Sequence, residues 1–195
     1  MRILGVIPAR GGSKRIPRKN LQIVGGRMLI EWACMHAHHS HLLDSWVVST
    51  DDEGIARYIE GIWCRGAHTR GPHLLRRPPE LALDDTPMAP VLLHAAEATG
   101  GNWDAVVTIQ PTSPLRTARD IDRAIATWLD EDCYEYVVSV NADTKQRNGA
   151  VYVCRMGDSV LWDEDHTGHY EMPAARSLDI NTPEDLEEAR RILGP

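Results

Sequence analysis

The sequence predicts an α/β fold: a three-layer sandwich in which helices cover both faces of a mostly parallel sheet. Three observations carry that prediction. Short apolar runs alternate with stretches of helical periodicity along the chain, the pattern of repeated βαβ units. Several runs are apolar throughout, as strands buried on both faces require. The 195 residues are enough for one well-buried core and short for two, so a single domain over 1–195 is expected.

Ile3–Ile7 reads as a buried first strand, closed by Pro8. Met28–Ala37 has helical spacing. Trp46–Ser49 is a short strand, followed by a helix over about Glu53–Ile59. Ala89–Ala98 predicts a helix, Ala105–Ile109 a strand, and Ile121–Leu129 a helix. Tyr136–Val140 and Ala150–Cys154 read as strands. The closing helix, Pro183–Leu193, has the clearest start. Thr182 is a good N-cap, Pro183 suits the first helical position, and Asp185 takes the third-residue place of a capping box. Gly66–Pro79 is the one long irregular segment and reads as a functional loop.

Composition excludes several classes. Lys and Arg total 21 against 28 Asp and Glu, a formal charge of −7, whereas a nucleic-acid binder is more often basic, with stacking aromatics near its charge. No apolar run reaches the length of a membrane span or a signal-peptide core, which predicts a cytoplasmic protein without membrane contact. Cys34, Cys64, Cys133 and Cys154 are widely spaced and read as reduced, mostly buried thiols. His36, His38, His39 and His41 share one short run, whereas a zinc site draws ligands from different elements, so an exposed helix end is expected. The scattered tryptophans, Trp162 among them, read as core.

Against that acidic background, the stretch IPARGGSKRIPRKN places Arg10, Lys14, Arg15, Arg18 and Lys19 within ten residues. Gly11 and Gly12 let backbone amides approach a ligand, and successive N–H groups beside Arg and Lys form an anion nest. This describes a cradle for a triphosphate or pyrophosphate, although neither a Walker A loop nor G-x-G-x-x-G occurs. Ligands of open α/β sheets lie beyond the carboxyl ends of the strands. Four segments converge there: this loop, STDD (Ser49–Asp52), QPTSPLR (Gln110–Arg116) and LDINTPED (Leu178–Asp185).

These segments carry a resemblance. IPARGGSKRIPRKN resembles the signature of the CMP-acylneuraminate synthetase family, sugar-activating cytidylyltransferases with a Rossmann-like fold of nucleotidyltransferase type. STDDEGIA, RPPELALDDTP, QPTSPLR, NGAVYV and LDINTPEDLEEA follow in the family's order. The likeness implies transfer of CMP from CTP to an acidic acceptor, with release of pyrophosphate. It places Arg10, Ser13, Lys14 and Lys19, with the loop glycines Gly11 and Gly12, on the nucleotide phosphates; Arg10, Lys14 and Lys19 are the catalytic cations. Asn20 and Arg77 fall near the cytidine, Gln110 at the acceptor side, and Asp179 at the first Asp of a magnesium-binding D-x-D pair. Such a transfer asks the protein mainly for positioning and charge neutralisation, and Mg²⁺ needs only one or two carboxylates.

The chain departs from the family twice. The D-x-D pair reads Asp179-Ile180-Asn181, so Asn181 brings a carbonyl oxygen without charge, and the metal would lean on Asp84, Asp85 or the ligand's phosphates. Asn181 equally suits shaping the turn before the Thr182 cap. Second, only NADTKQRNG joins two strands where the family carries a protruding arm that pairs subunits and covers the sugar acid. Loss of that arm, between about 141 and 148, implies a monomer or weak dimer and a smaller acceptor. In this the chain is similar to the short phosphonate cytidylyltransferases of antibiotic biosynthesis. Phosphonoformate or a related phosphonate is then the expected acceptor, with Arg116 and Arg176, beside Lys145 and Arg147, as candidate cations for it. A sialic-acid-like nonulosonate is the alternative acceptor, and a nucleotide-binding module without turnover the second alternative.

Overall fold

The computed structural model describes residues 1–64, 73–130, 134–157 and 166–194. Cys133, Trp162 and residues 66–72 of the predicted irregular segment lie outside them. Strand β1 (Ile3–Pro8) opens the chain, and a two-residue hairpin, β2 (Ile23–Val24) and β3 (Arg27–Met28), leads into α1 (Leu29–His39). Next come β4 (Ser45–Thr50), α2 (Glu53–Ile62), β5 (His73–Arg76), α3 (Met88–Ala98), β6 (Ala105–Ile109) and α4 (Ala118–Asp130). The chain continues through β7 (Tyr136–Asn141), β8 (Arg147–Arg155), β9 (Thr167–Met172) and α5 (Pro183–Leu193).

The main sheet has seven strands in the order β5-β4-β1-β6-β8-β7-β9. Strand β8 runs antiparallel to both neighbours and the other pairs are parallel, so the expected mostly parallel α/β sheet is present. Alternation along β1 explains the layers. Ile3 and Ile7 face a cluster built with α1, α2 and α4, while Leu4 and Val6 face α3 residues Leu92, Ala95 and Ala96. Each such fully buried aliphatic side chain is worth roughly 1.5–3 kcal/mol, which fixes the register of β1 between β4 and β6.

Three differences from the sequence expectations have physical causes. Residues 73–76 of the supposed irregular segment form β5, an edge strand with only two apolar residues whose parallel partner is β4. Strand β9 alternates buried Gly168, Tyr170 and Met172 with more exposed residues, a weak pattern in sequence. Strand β8 begins at Arg147, three residues before the apolar run. The β7–β8 link is a tight turn: Asn141 N–H donates to the Gln146 carbonyl, the Asn141 side chain accepts from the amides of Asp143 and Thr144, and Lys145 takes φ +57°. Helix α5 starts with the expected capping box between Thr182 and Asp185. Among the described residues, no helix is long and apolar enough to cross a membrane.

Candidate active site

Strand β1 ends beneath the basic loop, and the carboxyl ends of β4, β5 and β6 open beside it. A cleft of about 440 Å³ lies there, lined by Arg10, Ser13, Lys14, Lys19, Asn20, Arg77 and Gln110 among others. Seven of the residues expected from sequence therefore share one cavity. Arg15, Ile16, Met88, Pro111, Thr112 and Asn181 also line it, and were not assigned to the nucleotide or acceptor from sequence.

The loop's interior is built by its own backbone. Asn20 is buried, and its Nδ2 donates to the Arg10 carbonyl at 2.9 Å, drawing the two ends of the loop together. Gly11 N–H donates to Asp51 Oδ1 at 2.9 Å, and a Cβ on Gly11 would lie 2.9 Å from Asp52 Oδ2, so only glycine fits against STDD. The amides of Gly12, Lys14 and Arg15 donate to no acceptor among the described residues. Gly11 and Gly12 line an adjoining cavity of about 540 Å³, separated from the cleft by Ser13, Lys14 and Asp84, which border both.

That partition is an ion bridge. Asp84 Oδ1 is 2.8 Å from Arg10 Nη1, its Oδ2 meets Lys14 Nζ, and Arg10 also donates to the Leu83 carbonyl. The Lys14 ammonium, then Arg10, holds the Asp84 carboxyl below its ordinary pKa. Arg77 is buried, its Nε and Nη2 donating to Ser49 Oγ and the Ser49 carbonyl, which aims the guanidinium from the β5 side. Burial draws the pKa of Arg77 down, with Asp51 opposing. Lys19 Nζ donates to the Ile180 carbonyl at 2.9 Å; burial lowers its pKa and Asp179 works against that.

Asp179 does not line the cleft; Asn181 does. Asn181 Nδ2 donates to Asp179 Oδ2 at 2.8 Å, and Asp179 Oδ1 is buried with no hydrogen-bond partner. A buried carboxylate oxygen left unsatisfied beside a polar cleft fits a hard cation, and one carboxylate with ligand phosphates meets the needs of Mg²⁺. No group of three or more His, Cys, Asp or Glu suited to a metal occurs among the described residues.

Two expected acceptor ligands are corrected. Arg116 is only 1% exposed and donates to the carbonyls of Gln110 and Ala150, so it touches no ligand. Arg176 spends Nε and Nη2 on Asp120 at 3.0 and 2.7 Å and does not line the cleft. Lys145 pairs with Glu171 on the surface. Arginine is charged and normally exposed, so sequence alone points outward where the fold has turned these side chains inward.

A mostly parallel α/β sheet with a basic, glycine-containing loop after its first strand, cations converging on a cleft at the strand ends, and a carboxylate behind it make this cleft the candidate active site. The family profile described as cytidylyltransferase matches residues 4–171, and the chain belongs to that family. It is 33% identical over 182 residues to the 3-deoxy-manno-octulosonate cytidylyltransferase of Bdellovibrio bacteriovorus, covering 90% of this chain and 66% of the relative. It is 28% identical over 229 aligned positions to the pseudaminic acid cytidylyltransferase of Campylobacter jejuni, covering 97% and 95%. The fold superimposes on a CMP:2-keto-3-deoxy-manno-octonic acid synthetase solved with CTP at a TM-score of 0.75, with 16% identity and coverage of 99% and 98%. The chain spans less than two thirds of the length of several curated relatives, at 66%, 32% and 52%.

Proposed function

We propose that this chain transfers CMP from CTP to an acidic acceptor and releases pyrophosphate. The observation that carries the proposal is the convergence of Arg10, Lys14, Lys19 and Arg77 with Ser13 and Asn20 in one cleft. An acceptor oxygen forms a new bond to the α-phosphorus as the bond from that phosphorus to the bridging oxygen breaks. The bond's electron pair leaves with pyrophosphate, and any proton on the attacking oxygen passes to solvent. Arg10 and Lys14 release Asp84 and take up the phosphate oxygens, while the free amides of Gly12, Lys14 and Arg15 complete the cradle. Lys19 has two ammonium hydrogens left after its bond to Ile180, and they face the charge that builds on the leaving group. Arg77 and Asn20 hold the nucleoside. Asp179, with Asn181 beside it, would hold Mg²⁺, which when bound neutralises phosphate charge.

Within this activity, the acceptor we favour is small: phosphonoformate or a related phosphonate. Support comes from the tight Asn141–Gln146 turn, which adds no surface over the cleft. The alignment with the Campylobacter relative runs to 229 positions against 195 residues here, so that relative carries segments this chain lacks. Without a covering arm, a monomer or weak dimer is the matching state. The relatives' names favour a second acceptor, a sugar acid such as 3-deoxy-manno-octulosonate or pseudaminic acid.

The test is pyrophosphate release with Mg²⁺, crossing four nucleoside triphosphates with phosphonoformate, 3-deoxy-manno-octulosonate and N-acetylneuraminate. Release with CTP and phosphonoformate alone supports the small-acceptor reading. Release with a sugar acid transfers the assignment to that acceptor. CTP binding with no release from any pairing excludes these three acceptors and leaves a different acceptor or a nucleotide-binding module.

A further inference from the structure

A costly arrangement lies just behind the cleft. Arg116 is 1% exposed, and its Nη1 donates to the carbonyls of Gln110 and Ala150, both at 2.9 Å. Its Nη2 stands 3.5 Å from His36 Nδ1, and its Nε has no partner at all. Among the described residues, no carboxylate touches it. The nearest one, Asp120, is fully buried and already accepts from five donors. These are Arg176 Nε and Nη2, the Tyr170 hydroxyl, and the N–H and Oγ1 of Thr117. Of the two guanidiniums near Asp120, Arg176 takes both oxygens and Arg116 bonds to neither.

The remaining neighbour does not help. His36 is held neutral by burial and by Arg116 itself, which bring its pKa down to about 3. Burying a cation without a contacting anion costs several kcal/mol, and an apolar side chain of similar volume would avoid the cost. Such an expense needs a return, and the geometry supplies one. Gln110 follows the last residue of β6 and lines the cleft, while Ala150 follows Gly149, against which Asp179 packs. The cations that line the cleft lie on other segments: Arg10, Lys14, Arg15 and Lys19 between β1 and β2, and Arg77 after β5.

We infer that Arg116 is a positioning residue for the acceptor end of the cleft: it fixes the Gln110 and Ala150 peptides with one guanidinium, and its uncompensated positive charge draws an anionic acceptor to Gln110. The inference rests on the functional reading above in one respect, that the Gln110 end receives the acceptor. Asp120 sets how much of the charge is felt, and Arg176 and Tyr170 keep Asp120 occupied.

Three variants test this: Arg116→Met, Arg116→Lys and Asp120→Asn. Each is assayed by pyrophosphate release with phosphonoformate and with 3-deoxy-manno-octulosonate, beside CTP binding by calorimetry and thermal melting. Loss of the charge in Arg116→Met raises the acceptor KM by about tenfold or more, the scale of one partly screened charge at short range, while the Kd for CTP changes by less than about threefold. Arg116→Lys restores most of the acceptor KM. Asp120→Asn unmasks positive charge and lowers the acceptor KM, a change of sign that a purely structural network cannot give.

If Arg116→Met melts too low to assay, the Lys and Asn variants decide the matter alone. An acceptor KM that is unchanged in Arg116→Met, or that rises alike in Arg116→Lys and Asp120→Asn, overturns the inference. Absence of release by the unmodified chain is seen before any substitution; it overturns the functional reading and this inference with it.

Discussion

The ammonium of Lys19 donates to the carbonyl of Ile180 at 2.9 Å, joining residues 161 positions apart. The N–H of Ile180 in turn donates to the Thr112 carbonyl at 2.9 Å. Residue 180 thereby ties the phosphate loop to the loop after β6, and sits between Asp179 and the cleft residue Asn181. Replacing Lys19 by Ala removes the tether and, under the proposed function, a charge that would face the leaving group. Pyrophosphate release is expected to fall by about a hundredfold or more, on the scale of other lost charge-stabilising donors. A variant with near-normal rates would exclude Lys19 from the chemistry.

Under the proposed function, Asp84 would compete with a triphosphate for Arg10 and Lys14. Its carboxylate lies on both Arg10 and Lys14, so Asp84→Asn should raise affinity for CTP by roughly three- to tenfold in the absence of metal, as one partly exposed charge is removed. Calorimetry with and without Mg²⁺ checks this. Weaker binding confined to the Mg²⁺ series would instead identify Asp84 as a metal ligand.

Gly149 has φ +70°, and a Cβ built there would lie 2.8 Å from Asp179 Oδ2. Gly149→Ala pays backbone strain of about 1–2 kcal/mol and pushes the Asp179 carboxylate from its place. The expected result is a lower melting temperature together with a higher Mg²⁺ concentration at half-maximal rate. A variant with unaltered Mg²⁺ dependence would separate the glycine from the metal position.

Acid stability provides a further test. Burial alone would raise the Asp120 carboxyl, but hydrogen bonds from Arg176, Thr117 and Tyr170 outweigh it and hold the pKa at about 2, below the ordinary 3.8. A carboxylate depressed in the folded state contributes stability above its unfolded pKa and loses it as pH falls through the folded one. The unmodified protein should therefore lose this contribution between pH 3.8 and about 2. Asp120→Asn melts lower at neutral pH but falls less steeply in that window. Parallel melting curves for the two proteins would contradict the assignment.

Where local chemistry specifies an element, the sequence is a good guide. Pro183–Leu193 is legible to the residue because Thr182, Pro183 and Asp185 act within one turn. The basic loop after β1 is legible because its five cations cluster within ten residues. Strand β5 is not, since a four-residue edge strand acquires its character only from β4. The β2–β3 hairpin left one readable trace, the pair Gly25-Gly26, which takes φ +58° and +71° as a two-residue hairpin turn requires. Arg116 marks the limit of such reading. Its fate depends on carbonyls from β8 and the β6 loop and on a histidine from α1, groups that meet only once the sheet is assembled.

Helix α5 also has a meaning in time. Ile180, Leu186 and Ala189 pack under Ile16, Val24 and Leu29, and the Gly25 amide donates to the Gly194 carbonyl. The basic loop is synthesised well before residues 180–194, which supply its floor, so a growing chain carries the loop's cations before the surface beneath them exists. A chain halted before residue 178 would therefore expose that loop without the residues that support it.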